Sequence, residues 1–443
     1  MAEEGQVQRQ GDTPMEHLNI VLIGHVDAGK STTGGQILIA TGVIDKRTAE
    51  KCRQEAKEKN HEGWWLSYVL DLNPDERDKG KTIETGRGTF QTARKNITLL
   101  DAPGHKGFVP EMISGASQAD VAVLVISARK GEFETGFERG GQTREHAMLA
   151  KTAGVRHLTV LVNKMDDPTV KWSEDRFKEC RDKLLPFLKK QCGFKDKEIS
   201  FIPASSFTGA FIKDPAPDED CLWYRGPSLL DHLDALPNLN TVDENSTFIM
   251  PITGKHKDMG TIVTGKIESG IITVGTKLII MPSKTPVEVV ALYTEDNECK
   301  SLQCGDNGRI KLKGVEEEDV SAGMVLCDSE KPCKAARVFD AQLYILETKS
   351  IVCPGYMAVL HVHSATEEVK LSKIHYIIDK KTGEKDRRAR FAKTDQLVTV
   401  RLECLSKSVC VDKFTEFDGR LSRFTLRDEG RTVAMGKVLQ IVE

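Results

Sequence analysis

One eight-residue run, Gly24-His25-Val26-Asp27-Ala28-Gly29-Lys30-Ser31, constrains this chain more than any other feature. It follows the apolar, β-branched run 18–23 (LNIVLI) and precedes an apolar, helix-like stretch. It therefore satisfies G-x-x-x-x-G-K-[ST] in a strand–loop–helix context. Glycines let successive backbone N–H groups close around phosphate oxygens, and the helix N-terminus adds a favourable dipole. Asp27, Ala28, Gly29, Lys30, Ser31 and Thr32 become candidate nucleotide contacts. Lys30 is expected to reach the β- and γ-phosphates, and the Ser31 hydroxyl to ligate Mg²⁺.

A loop of this kind needs a parallel sheet around it, and the chain supplies one. Further apolar runs at 97–100, 121–126, 158–162 and 199–203 suit strands buried on both faces. Helix-like stretches at 142–153, closed by Gly154, and at 173–192 alternate with them. The pattern predicts an α/β P-loop domain with a mostly parallel, doubly wound sheet over residues 17–240, behind a disordered leader at 1–16. A polar linker at 238–246 follows, and the period then changes to short alternating runs separated by Gly, Asn and Asp turns. Those at 261–267, 276–281, 286–292 and 309–313 predict a β-barrel over 241–331. Those at 341–348, 356–363, 397–404 and 431–442 predict a second over 332–443, after a break near Glu330-Lys331-Pro332.

Three more motifs lie at strand ends in the same α/β region. Asp101-Ala102-Pro103-Gly104-His105 follows the run 97–100. An Asp there can hold Mg²⁺, Gly104 lets its N–H approach a γ-phosphate, and His105 falls where an attacking water must be oriented. Asn163-Lys164-Met165-Asp166 ends the run 158–162. The Asp166 carboxylate can accept from guanine N1–H and N2–H₂, which adenine lacks, while Asn163 braces the base site and the Lys164 stem packs along the base plane. Ala204-Ser205-Ser206-Phe207 follows the run 199–203 and completes a guanine site, its backbone N–H facing the base oxygen. Between the first two motifs lies Gly80-Lys81-Thr82-Ile83-Glu84, where Thr82 can offer its hydroxyl to Mg²⁺ and its N–H to a γ-phosphate. Both contacts vanish on hydrolysis, so that loop reads as a switch. Together the motifs specify GTP/GDP with Mg²⁺, the metal held by Ser31, Thr82 and Asp101, and Lys30, Thr82 and His105 as catalytic candidates.

The remaining features are bland. Sixty-three basic against sixty-six acidic residues leave a net charge of −3, so no chain-wide field draws nucleic acid. The basic stretch 380–393 carries interspersed acids and reads as a solvated hairpin. Eleven scattered cysteines lack C-x-x-C spacing, and His361, His363 and His375 lack a paired ligand motif. No apolar run reaches the roughly 18 residues of a membrane helix, so no membrane is expected and a cytoplasmic setting is.

The motifs resemble those of the translational GTPases: GHVDAGKST (24–32), DAPGH (101–105), KGEFETGFERGGQTREHAMLAKTAGV (130–155) and NKMD (163–166). NKMDDPTVKWSEDRF (163–177), KDMGTIVTGKIESG (257–270) and RFTLRDEGRTVAMGKV (423–438) are similar to the class II release factors. The resemblance covers residues 18–443 and implies a GTPase of eukaryotic translation termination, acting on the ribosome. It also implies a stop-codon-reading class I release factor docked mainly on the third domain, with 419–437 as a candidate surface. That same segment equally fits a strand whose Phe424 and Leu426 fill the barrel core. Ribosome rescue and aminoacyl-tRNA delivery share this chemistry with a different cargo, and a nucleotide-gated scaffold would share the fold. Family members carry a long N-terminal extension, so a poly(A)-binding-protein contact is not expected of the short leader read here. Lys81 stands where tRNA-delivering relatives place an apolar partner for Val26, leaving that hydrophobic gate incomplete. Ser422 stands where a glycine commonly precedes RFTLRD.

Overall fold

A computed structural model describes residues 15–70, 76, 82, 85–138, 141–217, 219–239, 246–294, 297–346, 348, 351–379, 383–416 and 419–443. Most of the expected leader, Lys81 and its neighbours other than Thr82, and the linker residues 240–245 lie outside these. Glu16, expected in the leader, already pairs with Lys95 in the first strand.

The first sheet has six strands: β1 (Glu16–Gly24), β2 (Gly86–Gln91), β3 (Lys95–Asp101), β4 (Val121–Ser127), β5 (His157–Asn163) and β6 (Ile199–Pro203). Their order is β2-β3-β1-β4-β5-β6, all parallel except β2, which runs antiparallel to β3. Every residue of β4 is buried, because helices cover both faces of the sheet. β2 (GRGTFQ) escaped the sequence reading because it is a half-exposed edge strand with two glycines and little apolar signal. The chain leaves β1 for β3 on one side and β4 on the other, so the switch point of the sheet lies at the C-terminal end of β1. That is where the phosphate-loop motif sits.

The helix Gln142–Ala153 stops at Gly154 (φ 105°), a left-handed cap that other residues adopt at a cost. Ser173 caps the helix Glu174–Phe187 by accepting from the Arg176 N–H. The expected helix 173–192 is thus shorter, and its last five residues, Leu188–Cys192, widen into a π turn.

Beyond the linker, two antiparallel units follow, each with its own apolar core. In the first, the segment 249–257 closes the ring by pairing Ile249–Pro251 with Val325–Asp328 and Gly254–Lys257 with Thr261–Lys266. In the second, six strands close on themselves through the pairing of Met357–Val362 with both Ala365–Ile378 and Arg423–Asp428. Phe424 and Leu426 are buried in this barrel's core, which assigns them to packing rather than to a docking surface. Arg427 and Thr432 of the same segment are also buried, against the helix Gln142–Ala153. The expectation that 419–437 presents an exposed docking face is therefore corrected for these residues.

An apolar cluster joins the two barrels, and polar seams join each of them to the first domain. Asp120, at the foot of β4, takes Lys266 Nζ at 2.7 Å and both the backbone and side-chain N–H of Asn19 at 3.0 Å. Asn19 in turn donates to the Gly305 carbonyl at 2.7 Å. Burial would raise the Asp120 pKa, but Lys266 and Asn19 outweigh it and hold the carboxyl below its ordinary range. This contribution is complete above the ordinary carboxylate value and is lost as pH falls through the depressed one. Removing one partner of a buried pair leaves the other charge uncompensated, a cost of about 3–5 kcal/mol. Lys266→Met is expected to lower the urea midpoint sharply, and adding Asp120→Asn to recover most of the loss. Equal midpoints for wild type and Lys266→Met would show that the seam contributes nothing.

Candidate nucleotide-binding site

The C-terminal ends of β1, β3, β5 and β6 converge on a cleft of about 690 Å³. The phosphate loop forms its floor through Asp27, Gly29, Lys30, Ser31 and Thr32. Thr82, Gly104 and His105 form one wall. Asn163, Lys164, Asp166 and Phe207 form the other end. Ala28, Asp101, Ser205 and Ser206 are buried. All the sequence-derived candidates thus gather in one place from segments up to 180 positions apart.

The loop is shaped by close approach. Gly29 (φ 98°) caps the helix Lys30–Ala40, and a Cβ on it would lie 2.4 Å from Asn163 Nδ2. That amide nitrogen donates to the Ala28 carbonyl at 2.9 Å, while Asn163 Oδ1 accepts the Ser206 N–H at 2.8 Å. The Ser206 hydroxyl meets Thr33 Oγ1 at 2.7 Å. Asn163 therefore braces loops rather than reaching into solvent. Asp27 and Lys164 hold left-handed backbone (φ 59° and 62°), a strain that clusters at functional loops.

Lys30 is buried, and its ammonium donates to the His25 carbonyl at 2.9 Å. Burial lowers its pKa to about 8, against the raising influence of Asp101 and Asp27. Gly104 sits so close that a methyl group there would lie 2.3 Å from Lys30 Nζ. Asp101 is fully buried, and burial pushes its carboxyl up to about 6, opposed by Ser31 and Lys30. Neither Asp101 oxygen accepts a hydrogen bond of ordinary geometry among the described residues. The Ser31 and Thr82 hydroxyls lie 3.0 Å apart. An orphaned carboxylate with two hydroxyls is a hard-oxygen donor set, and it fits Mg²⁺ rather than a softer metal.

His105 is half-buried, and its Nδ1 accepts the Gly107 N–H at 3.1 Å. Its ring therefore carries the neutral-form proton on Nε2. At the base end, Asp166 is exposed to the cleft and Phe207 is 56% exposed. Lys164 Nζ donates to Glu132 Oε2 at 2.8 Å. Burial alone would raise the Glu132 pKa, but Lys164, Ser127 and Arg129 outweigh it and hold the carboxyl below its usual range. Sequence reasoning gave Glu132 no role, although it lies in the run 130–155 that carries the family resemblance. It missed Trp64 too, which lines the cleft from the short turn Glu62–Trp64.

His361, His363 and His375, unremarkable in the sequence, each have a protein neighbour: Thr366, the Cys410 carbonyl and Asp340. All eleven cysteines are free thiols. Among the described residues no helix is long and apolar enough to cross a membrane.

Residues 15–242 match the family described as the elongation factor Tu GTP binding domain, 260–327 elongation factor Tu domain 2, and 338–439 the GTP-eEF1A C-terminal domain-like family. The eukaryotic peptide chain release factor GTP-binding subunit of Debaryomyces hansenii is 52% identical over 431 residues, 96% of this chain and 61% of that protein. The protein of the same description from Schizosaccharomyces pombe is 50% identical over 430 residues, 97% of this chain and 64% of that protein. The chain thus spans about six tenths of the length of these curated relatives. The S. cerevisiae Ski7 GTPase-like domain, solved with GTP, superposes with a TM-score of 0.79 at 20% identity, over 96% of this chain and 97% of that one. That likeness is one of fold.

The brace at Asn163 makes a direct prediction. Asn163→Ala strands the Ala28 carbonyl and the Ser206 N–H, each at about 1–3 kcal/mol if buried and unpaired. Thermal unfolding of the nucleotide-free chain is expected several degrees lower, with nucleotide held more weakly. An unchanged midpoint would mean that the loops hold their form without it.

Proposed function

The chain belongs to the elongation factor Tu GTP-binding domain family, and from that premise we propose that it binds and hydrolyses GTP on the ribosome during translation termination. In that role it acts in complex with a stop-codon-reading class I release factor, in the cytoplasm. The observation that carries the hydrolase reading is the Asp101 carboxylate, buried near Lys30 and without an ordinary hydrogen bond among the described residues, with the paired Ser31 and Thr82 hydroxyls at hand. The termination reading is supported by the half-identity to release-factor subunits through all three domains.

In this reading Asp166 accepts from guanine N1–H and N2–H₂, the Lys164 stem lies along the base, and the loop Ser205–Phe207 closes the other side. Lys30 leaves the His25 carbonyl for the β- and γ-phosphate oxygens, and amides of Asp27, Ala28, Gly29, Ser31 and Thr32 close around them. Ser31, Thr82 and Asp101 would hold Mg²⁺, which supplies positive charge against the phosphate oxygens. Gly104 and Thr82 offer N–H groups to the γ-phosphate, so both loops relax when it departs. With its proton on Nε2, His105 donates to the oxygen of the attacking water and orients it; it does not take the proton in that tautomer. The water then adds to the γ-phosphorus, its proton passing to a γ-phosphate oxygen, as the bond to the β-phosphate oxygen breaks; GDP and phosphate result, and Lys30 offsets the charge left on the β-phosphate oxygen.

The cargo decides between termination and its rivals. Mixing the full chain in GTP separately with class I release factor, its rescue counterpart and aminoacyl-tRNA is expected to give co-elution with the first alone. Co-elution with either other cargo and not the first would overturn the termination reading and leave the GTPase one standing.

His105→Ala is expected to bind nucleotide as wild type does while ribosome-stimulated phosphate release falls by about 10²–10⁴-fold, because the imidazole meets the water and not the ground-state phosphates. A stimulated rate equal to wild type would make His105 structural.

A further inference from the structure

Glu145 and His146 are neighbours on the helix Gln142–Ala153, about 100° apart around its axis, and each holds a different part of the molecule. Glu145 faces the last barrel. Its Oε1 accepts from the Thr432 hydroxyl at 2.6 Å and from Arg427 Nη1 at 3.3 Å. Arg427 is itself buried and donates to Thr432 Oγ1 at 3.0 Å and to the Gly430 carbonyl at 2.8 Å. The barrel thus meets the helix here through a small polar set, and further along the helix the Thr152 hydroxyl lies against Met435 Sδ.

His146 faces the other way. It is fully buried, and its Nδ1 accepts the N–H of Gly24 at 3.2 Å. Gly24 is the last residue of β1 and the first of the phosphate loop. Burial, with the positive charges of Lys30, His25 and Arg427 behind it, lowers the imidazole pKa to about 3, so the ring is neutral. Since Nδ1 accepts, the proton must sit on Nε2, and that N–H is buried without a partner among the described residues. An apolar side chain would fill this core position without the cost of an unsatisfied donor. What the imidazole supplies in exchange is one acceptor, aimed at the first amide of the loop, and a buried orphan of this kind calls for such a reason.

We propose that His146 is a positioning residue of the phosphate loop, and that with Glu145 it links the third domain's seat on the helix to the hold on nucleotide phosphates. The inference rests on the nucleotide-binding reading of the cleft and adds to it a route by which the third domain acts on that cleft. Linkage makes the effect reciprocal: whatever loosens the barrel's hold on Glu145 weakens nucleotide binding, and bound nucleotide tightens the barrel's seat. A partner that binds the third domain and alters its seat would then tune nucleotide exchange without touching the cleft.

The test is the rate at which a fluorescent N-methylanthraniloyl GDP leaves the full-length chain, followed by stopped flow. Thr432→Val removes the hydroxyl that Glu145 accepts from and is expected to speed release several-fold; His146→Leu is expected to speed it about tenfold, within the usual range of such couplings. His146→Asn, whose side-chain oxygen can stand where Nδ1 stands, is expected to restore the rate to within about twofold of wild type. The double variant Thr432→Val/His146→Leu should release no faster than His146→Leu alone, because the first change acts through the second residue. Unchanged release from Thr432→Val, or effects that simply multiply in the double variant, overturns the link. Should His146→Leu fail to fold, Thr432→Val and Glu145→Gln, both at the barrel contact, decide the link by the same rate: faster release supports it and unchanged release overturns it. A wild-type chain that binds no nucleotide overturns the nucleotide reading itself, and that outcome is distinct from nucleotide binding with an unmoved rate.

Discussion

One buried amide, that of Asn163, is the fastening on which the cleft depends. Its nitrogen holds the phosphate loop by the Ala28 carbonyl and its oxygen holds the loop after β6 by the Ser206 N–H. Loops at the end of a parallel sheet have no ladder partners of their own, so their backbone groups must be satisfied by side chains or be left to a ligand. Asn163 satisfies one carbonyl and one amide, and the amides of Lys30, Ser31 and Thr32 lie in the first turn of the helix, where the helix itself offers no acceptor. The same side chain occupies the space that a Cβ at position 29 would need, which is why that turn is glycine. Floor, base end and helix start are then held in one geometry before any nucleotide arrives, and ordering them is not charged against binding.

Much of this was legible in the sequence because its signals are local. A phosphate loop is a contiguous run with fixed spacing, and the other three motifs each end an apolar strand, so their order alone implied a shared rim. Strands β1, β3, β4, β5 and β6 stood out because burial on both faces demands unbroken apolar runs. β2 did not, since an edge strand needs no such run. The functions of Glu132 and Trp64 were illegible for a different reason. Nothing in the spacing of either residue points to the cleft, and each lines it because of where folding carries it. The Lys164 ammonium illustrates the gap: its stem was expected along the base, but its partner, Glu132, lies 32 positions upstream.

The contacts between domains were illegible throughout; an apolar cluster that includes Ile249, Met281, Val325 and Leu421 joins the two barrels, while polar pairs fasten the first domain to each of them. Asp120 with Lys266 is a fully buried ion pair, and Arg427 is buried against a half-buried Glu145. Such pairs add little net stability, because desolvation consumes most of their attraction, but a mismatched register leaves a charge buried alone. They therefore penalise wrong domain placements more than they reward the right one.

The segment Arg423–Asp428 shows what that polarity does to a sequence pattern. Alternation of Phe424 and Leu426 with Thr425 and Arg427 suits a strand with one apolar face inward and one polar face in water. Phe424 and Leu426 do face the barrel core, yet Thr425 and Arg427 are 3% and 5% exposed. The polar face is covered by the first domain, where Arg427 meets Glu145 instead of solvent. A polar strand face thus marks either water or a polar partner surface within the same molecule, and alternation cannot tell the two apart. Any partner seated on the third domain must meet the barrel elsewhere than at Arg427 and Thr432 while the barrel stays on the helix. If it engages those two residues instead, it must first lift the barrel from Glu145, and the free energy of that displacement is drawn from the docking itself.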